Sequence, residues 1–158
     1  LLAASVELNV VDGVILPNLK MQGTEEACAY LDEEGRCSIH PYRPGICRLF
    51  PLGRYYENGG FSYFLQTGEC AKENRSKIKV SKWIDTPDLT RNQQFILQWH
   101  DLLHAMEERL TGEDEGKQRE ENLLLLRLFY LLPYEGTIDF YTQFTERMEH
   151  WNGQNGQI

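Results

Sequence analysis

Four cysteines are the residues in this sequence most able to do chemistry. They are Cys28, Cys37, Cys47 and Cys70, and all four lie in the first half of the 158-residue chain. A chain of this length can fold on a hydrophobic core without disulfides, so clustered thiols favour a metal site. The gaps between them do not match the C-x-x-C pairs of zinc ribbons. Spacing alone leaves four interpretations open: zinc, an iron–sulfur cluster, two disulfides, or four buried thiols.

The stretch around these cysteines is rich in arginine and free of acids. No Asp or Glu occurs from Arg36 to Arg54, whereas the whole chain has 16 basic and 24 acidic residues and a formal net charge of −8. Four thiolates around Zn²⁺ or a [4Fe–4S] cluster leave a net charge of about −2. Arg36, Arg43 and Arg48 are close enough in sequence to balance that charge and to donate hydrogen bonds to sulfur. The alternative for each arginine is a salt bridge elsewhere in the chain.

Three hairpins are predicted to position the cysteines. Their strands are Val6–Val11 with Val14–Leu16, Cys28–Leu31 with Arg36–Ile39, and Leu52–Tyr56 with Phe61–Leu65. The second hairpin would place Cys28 and Cys37 on neighbouring strands. After it, residues 40–45 hold two prolines and a glycine, so we expect irregular backbone that aims Cys47. The third hairpin would return the chain toward Cys47 just before Cys70.

Helical periodicity replaces strand patterns after Trp83. Thr86-Pro87-Asp88 combines a hydroxyl cap, a proline and an acid, as helix starts do. Apolar residues at helical spacing then predict three helices: up to about Gly112, about Gln118–Leu132, and Ile138–Trp151.

Together these patterns predict an α+β fold in a single domain over residues 1–158. We expect an irregular, β-hairpin-rich cysteine module over residues 1–85, packed against about three C-terminal helices over residues 86–151. Residues 152–158 are polar and contain glycine, so we expect a flexible tail.

Composition and missing motifs exclude several classes of protein. The hydrophobic fraction of 41% is ordinary for a globular protein. The most apolar stretch, Leu123–Leu132, is too short to cross a bilayer, and residues 1–5 lack a secretory signal, so we expect a cytoplasmic protein with no membrane partner. No G-x-S-x-G, P-loop or G-x-G-x-x-G motif occurs, so no catalytic residue is assigned and an enzymatic role stays open.

A basic run in the middle of the chain raises nucleic-acid binding as a minor alternative. Its members are Lys72, Arg75, Lys77, Lys79 and Lys82. A sequence pI near 5.0 and the lack of a groove-entering motif argue against it. We therefore expect a protein partner or a protein substrate rather than nucleic acid.

The run from Cys28 to Pro51 resembles the cysteine-cluster family of zinc- or iron-chelating proteins (YkgJ-like), which also includes flagellin lysine N-methylases. In that family's pattern a Cys precedes an apolar pair, a Gly-Arg-Cys turn follows, Arg-Pro leads to Cys-Arg, and Phe-Pro comes before a further Cys. The matching positions here are Cys28, Cys37, Arg43, Pro44, Cys47, Arg48, Phe50, Pro51 and Cys70.

The resemblance implies that the four cysteines are ligands of zinc or of an iron–sulfur cluster. The predicted hairpins and the turn before Cys47 lead us to expect that the four converge, with Cys47 most central. The implied role is structural, redox or metal-handling, and the alternative is an enzyme of the protein-lysine methylase type that uses the cluster. The resemblance also implies a dense cysteine run some tens of residues before Cys28, which this sequence does not contain. His40 fills a position that the family gives to an aromatic residue, so we do not expect it to be a ligand.

Overall fold

The computed structural model describes residues 5–24, 26–69 and 76–155. Small antiparallel hairpins lie in the N-terminal part and three longer helices in the C-terminal part, which confirms the α+β class. The strands are β1 (Val6–Val11), β2 (Val14–Leu19), β3 (Met21–Gln22), β4 (Ala27–Cys28), β5 (Leu52–Glu57) and β6 (Gly60–Leu65). The helices are α1 (Gly45–Leu49), α2 (Val80–Ile84), α3 (Leu89–Leu110), α4 (Glu115–Leu126) and α5 (Phe140–Asn155). No helix in this described part combines the length and apolarity needed to span a bilayer.

The chain divides into two compact units, and the division falls within α3. The first, which we call the helical unit, contains residues 1–29 and 98–158. The second, which we call the cysteine unit, contains residues 30–97. Cys37 and Cys47 therefore belong to the cysteine unit, whereas Cys28 belongs to the helical unit.

The first and third predicted hairpins are confirmed, and their turns explain why. β1 pairs with β2 over Asp12-Gly13, whose φ angles are 50° and 81°. β5 pairs with β6 over Asn58-Gly59, with φ angles of 51° and 72°. Two consecutive left-handed residues form the turn that matches the twist of a two-residue hairpin, and Asn, Asp and Gly tolerate that conformation best.

The second predicted hairpin forms only in part: the Ser38 N–H donates to the Tyr30 carbonyl at 2.8 Å, but Cys28 is not on a strand paired with that of Cys37. Cys28 pairs with Met21 in the short β3–β4 ladder. Cys37 instead faces Leu31 across one isolated bridge.

The prolines near Cys47 do not prevent regular structure, contrary to expectation. A 3₁₀ turn covers His40–Tyr42 with Pro41 in its first turn, and α1 begins directly after Pro44. A proline fits at the start of a helix because the first N–H groups of a helix have no intrahelical partner.

The three longer helices begin at acidic caps. Asp88 accepts the Arg91 N–H at 3.0 Å, and is thus the cap that Thr86 was expected to provide. Asp114 accepts the N–H groups of Gly116 and Lys117, so the second of these helices starts earlier than predicted. It passes into a π-helical turn over Arg127–Leu131. The last helix extends to Asn155, and residues 156–158 of the expected tail lie outside the described residues.

The helical unit holds most of the core. Its buried apolar side chains are Val14, Leu102, Met106, Leu110, Leu125, Leu126, Leu128, Phe129, Phe144 and Trp151. The buried side chain of Asn122 fixes the first hairpin to α4. Its Oδ1 accepts the Ile15 N–H at 2.6 Å, and its Nδ2 donates to the Gly13 carbonyl at 3.0 Å and the Gln118 carbonyl at 2.9 Å. The oxygen and both N–H groups of this buried amide are hydrogen-bonded, so Asn122 specifies where the hairpin lies.

Candidate metal centre

A tight turn in the cysteine unit positions Cys37. Asp32 Oδ1 accepts the N–H groups of Glu34 and Arg36 at 3.1 and 2.8 Å, and Gly35 adopts a φ of 73°. This turn reverses the chain so that Cys37 lies opposite Leu31. The Cys37 side chain is half-buried, and its thiol is not part of a disulfide.

Cys47 lies on the short helix α1. Its N–H donates to the Pro44 carbonyl at 3.0 Å, so the proline before the helix sets its first turn. Cys47 is exposed, whereas its neighbour Leu49 is buried. The helix therefore buries an apolar side chain and leaves the sulfur-bearing residue accessible to a ligand.

Cys70 lies outside the described residues, but the chain leading to it is described. The β5–β6 hairpin ends with the Gln66 N–H donating to the Pro51 carbonyl at 3.0 Å. Pro51 is four residues after Cys47, and Gln66 is four residues before Cys70. The hairpin therefore returns the chain to the segment that carries Cys47, as the sequence predicted.

Cys28 closes the β3–β4 ladder in the helical unit. The turn before it contains two residues with positive φ, Gly23 at 75° and Glu26 at 49°. The Cys28 side chain is half-buried, and its thiol is not part of a disulfide. It is separated from Tyr30, the first residue of the cysteine unit, by one residue.

Arg48 joins two loops of the cysteine unit. Its Nη1 donates to the Asp85 carbonyl at 3.1 Å and its Nη2 to the Pro41 carbonyl at 3.0 Å. Trp83 reinforces the same junction, because its Nε1 donates to the Phe50 carbonyl at 3.1 Å. These bonds hold α1 to the segment around α2, so Arg48 acts on the backbone that carries Cys47.

Arg43 and Arg36 have different environments. The Arg43 Nη1 contacts His40 Nε2 at 2.6 Å, which occupies a ring nitrogen that a metal would need. The Nε of Arg43 is buried and has no hydrogen-bond partner among the described residues. Arg36 forms an ion pair with Glu34 at 3.5 Å, with the two side chains 77% and 69% exposed. Arg43 therefore retains a donor for an anionic group, whereas Arg36 lies in solvent.

Arg54 also has an unpaired guanidinium nitrogen, but its surroundings differ from those of Arg43. Its buried Nε also has no hydrogen-bond partner in the described chain. Its guanidinium, however, lies 5.5 Å from the centroid of Phe61 and 5.9 Å from that of Tyr63. Cation–π contact accounts for Arg54, whereas Arg43 makes no such contact with the residues that the structure describes.

The residues fit a soft metal by their donor chemistry. Within residues 5–24, 26–69 and 76–155, no three His, Cys, Asp or Glu side chains surround a point that could hold a metal ion. Cys70, the fourth thiol of the sequence, is not among those residues. Thiolates are the preferred ligands of zinc and of iron–sulfur clusters, and the buried Arg43 Nε is a donor that such an anionic centre would use.

The contribution of Trp83 was not predicted from the sequence. Its indole bonds the Phe50 carbonyl, which belongs to the Phe-Pro pair that the sequence analysis singled out. Asp85, whose carbonyl accepts from Arg48, adopts a left-handed φ of 51° at the end of α2. The only signal in the sequence was a large aromatic residue at the border between the basic run and the helices.

A comparison with known proteins finds a family model that matches part of the chain. Residues 7–71 match a family model named CxxCxxCC, described as "Putative zinc- or iron-chelating domain". Neither the curated proteins nor the solved structures include a significant match to the chain. The match ends one residue after Cys70 and contains every cysteine of the sequence. Its description names metal chelation and says nothing of methyl transfer. Residues 7–71 of this chain are therefore similar to the cysteine-cluster family of zinc- or iron-chelating domains.

Proposed function

We propose that this chain is a metal-binding cysteine-cluster protein in which Cys28, Cys37, Cys47 and Cys70 ligate zinc or an iron–sulfur cluster. The observation that carries the proposal is the extent of the family match, which includes all four cysteines and ends just past the last. The role that we assign to the bound metal is structural, redox or metal-handling.

The route of the backbone supports a site centred on the cysteine unit. The bond between Gln66 and Pro51 holds together two segments that each reach a cysteine four residues away. Four residues span at most about 14 Å, so the approach to Cys47 and Cys70 is local to this junction. Cys37 belongs to the same unit, and Cys28 precedes that unit in sequence by two residues.

Arg43 and Arg48 would support the metal site in different ways. Arg43 supplies a buried N–H that lacks an acceptor, and a thiolate is an acceptor of suitable charge. Arg48 fixes the backbone around α1 through two carbonyl groups. A bound metal would supply a cross-link among the cysteine-bearing segments, and these two side chains would orient and neutralise the ligands.

The small core of the cysteine unit explains why a cross-link would matter. Only Leu49, Ile84 and Ile96 are buried apolar side chains among its described residues. A unit of 68 residues with so few buried side chains gains little free energy from apolar burial. Metal binding contributes directly to the free energy of folding in such modules. We therefore assign the metal at least a structural role.

The test is anaerobic purification of the chain, followed by metal analysis and an absorption spectrum. Visible sulfur-to-iron absorption together with acid-labile sulfide identifies an iron–sulfur cluster, and a colourless protein with stoichiometric zinc identifies a zinc site. Cys47→Ser and Cys70→Ser should each lower the metal content severalfold or more. Ser62→Ala, an exposed position on β6, is the matched control and should retain metal. Wild-type protein that holds neither metal, or cysteine variants that hold as much as Ser62→Ala, would refute the proposal.

A further inference from the structure

In the part of the chain that the structure describes, the outer edge of β1 has no strand beside it. β1 and β2 form a two-stranded sheet, so each strand has one edge that no other described strand covers. On β2 that edge is closed: Asn122 bonds Gly13 and Ile15, and Pro17 has no N–H to offer. Among the described residues, β1 has neither a proline nor a side-chain cap of this kind on its edge.

The hairpin register shows which groups of β1 point outward. A two-residue turn makes Val11 and Val14 a hydrogen-bonded pair, and such pairs recur at every second residue. The bond from the Lys20 N–H to the Ser5 carbonyl at 2.9 Å belongs to the same set. The odd-numbered residues of β1 therefore bond β2, and the main-chain groups of the even-numbered residues point away from it.

The even-numbered residues are Val6, Leu8 and Val10, and their side chains form an apolar face. Their partners on that face of β2 are also apolar: Ile15, Pro17 and Leu19. Leu8 is 59% exposed and Val10 is 70% exposed. An exposed apolar strand with an open edge is a template for pairing with another strand.

We propose that β1 pairs antiparallel with β1 of a second copy of this chain, about a two-fold axis at Leu8. In this register Leu8 lies opposite Leu8, and Val6 lies opposite Val10. All of these are residues whose main-chain groups point outward, so each pair can exchange two N–H···O=C bonds. The result is a four-stranded sheet built from two hairpins.

The charges of β1 favour this register over its neighbours. Glu7 lies opposite the uncharged Asn9 of the second copy, so no like charges meet. A register centred on Glu7 would place two carboxylates opposite each other. A register centred on Asn9 would leave Val6 opposite the turn residue Asp12, without a strand partner. β1 is thus complementary to itself, so the partner that fits its open edge is β1 of a second copy of the chain. This inference does not depend on the metal site.

The experiment measures self-association of the full chain by analytical ultracentrifugation up to about 100 µM. The wild type should form a dimer that dissociates on dilution. Leu8→Lys and Leu8→Glu should each weaken association at least about tenfold, since two like charges would replace the apolar pair on the axis. Mixing the two variants in equal amounts should restore the dimer, because unlike charges then face each other.

Asn9→Lys is the matched control. It adds the same charge to the same strand, but its new side chain would face Glu7 of the second copy, so association should be retained. Leu8 and Asn9 are both exposed, and circular dichroism should show native helix content for every variant. A wild type that stays monomeric, a Leu8→Lys variant that associates like the wild type, or a mixture that fails to dimerise would overturn the proposal.

Discussion

The main-chain N–H of Gln66 donates to the carbonyl oxygen of Pro51 at 3.0 Å, and this single bond closes the β5–β6 hairpin onto the segment that follows Cys47. Because the bond uses only the main chain, the side chain of Gln66 is not needed for it. The bond therefore offers a way to loosen the approach to Cys70 without altering any cysteine.

Gln66→Pro should weaken metal retention, because proline has no N–H to donate to Pro51. A net hydrogen bond is worth about 1 kcal/mol, so the metal affinity measured by chelator competition should fall about fivefold. Gln66→Ala keeps the N–H and is the control, with affinity within about twofold of the wild type. Equal affinities for the two variants would show that this closure does not serve the site.

Arg48→Lys should destabilise the cysteine unit although the charge is kept. The guanidinium reaches the carbonyl groups of Pro41 and Asp85 at once, and an ammonium is a point donor that cannot bridge both in that planar geometry. We expect a loss of about 1–2 kcal/mol in urea denaturation of the cysteine unit. Arg36→Lys is the control, since its exposed ion pair with Glu34 contributes about 0–1 kcal/mol. Similar effects of the two substitutions would contradict the structural role of Arg48.

Removal of the metal should unfold the cysteine unit and leave the helical unit folded. The cysteine unit has three described buried apolar side chains, whereas the helical unit has its own core that includes Met106, Leu125 and Phe144. Limited proteolysis with a chelator should therefore cut within residues 30–69 and leave residues 98–155 protected. Unchanged protection of residues 30–69 would mean that no metal stabilises them.

Ionisation of Tyr130 should destabilise the helical unit at high pH. Burial raises the pKa of Tyr130 to about 12, with a smaller contribution from Tyr134. Because this pKa is higher in the folded than in the unfolded state, the neutral side chain stabilises the folded state fully below a pH of about 10. This contribution to the free energy of unfolding is lost as the pH rises through the folded pKa. A spectroscopic titration should show one tyrosine ionising well above the others, and Tyr130→Phe should remove that step. Tyr130 is 41% exposed, so a titration in which Tyr130→Phe removes an ordinary step would contradict the partial desolvation of its hydroxyl.

Local chemistry was enough to predict the first and third hairpins and the longer helices. Asp12-Gly13 and Asn58-Gly59 adopt the left-handed conformation that a two-residue turn requires, and few other residues do so without strain. Asp88 lies at the predicted helix start and caps it. In each case a turn or cap depends on residues within four positions of one another, which the sequence displays directly.

The environment of the cysteines depends on distant partners and could not be predicted in the same way. Cys28 pairs with Met21 in a ladder whose strands have two residues each, too short for an alternation of apolar and polar residues to predict it. Arg48 bonds a carbonyl 37 residues away, and main-chain carbonyl groups leave no trace in the sequence. The resemblance of residues 28–70 to a chelating family was confirmed, whereas the four-cysteine ligand set remains a prediction.

X-ray absorption spectroscopy of the anaerobically purified chain, at the zinc and iron edges, tests the central claim most directly. Four cysteine thiolates predict sulfur alone in the first coordination shell, at about 2.3 Å and with a coordination number near four. An iron–sulfur cluster would add iron–iron scattering, and a zinc site would not. The Cys70→Ser variant should lose one sulfur from the shell or lose the metal. A shell of oxygen and nitrogen ligands, or absorption edges without bound metal, would contradict the account.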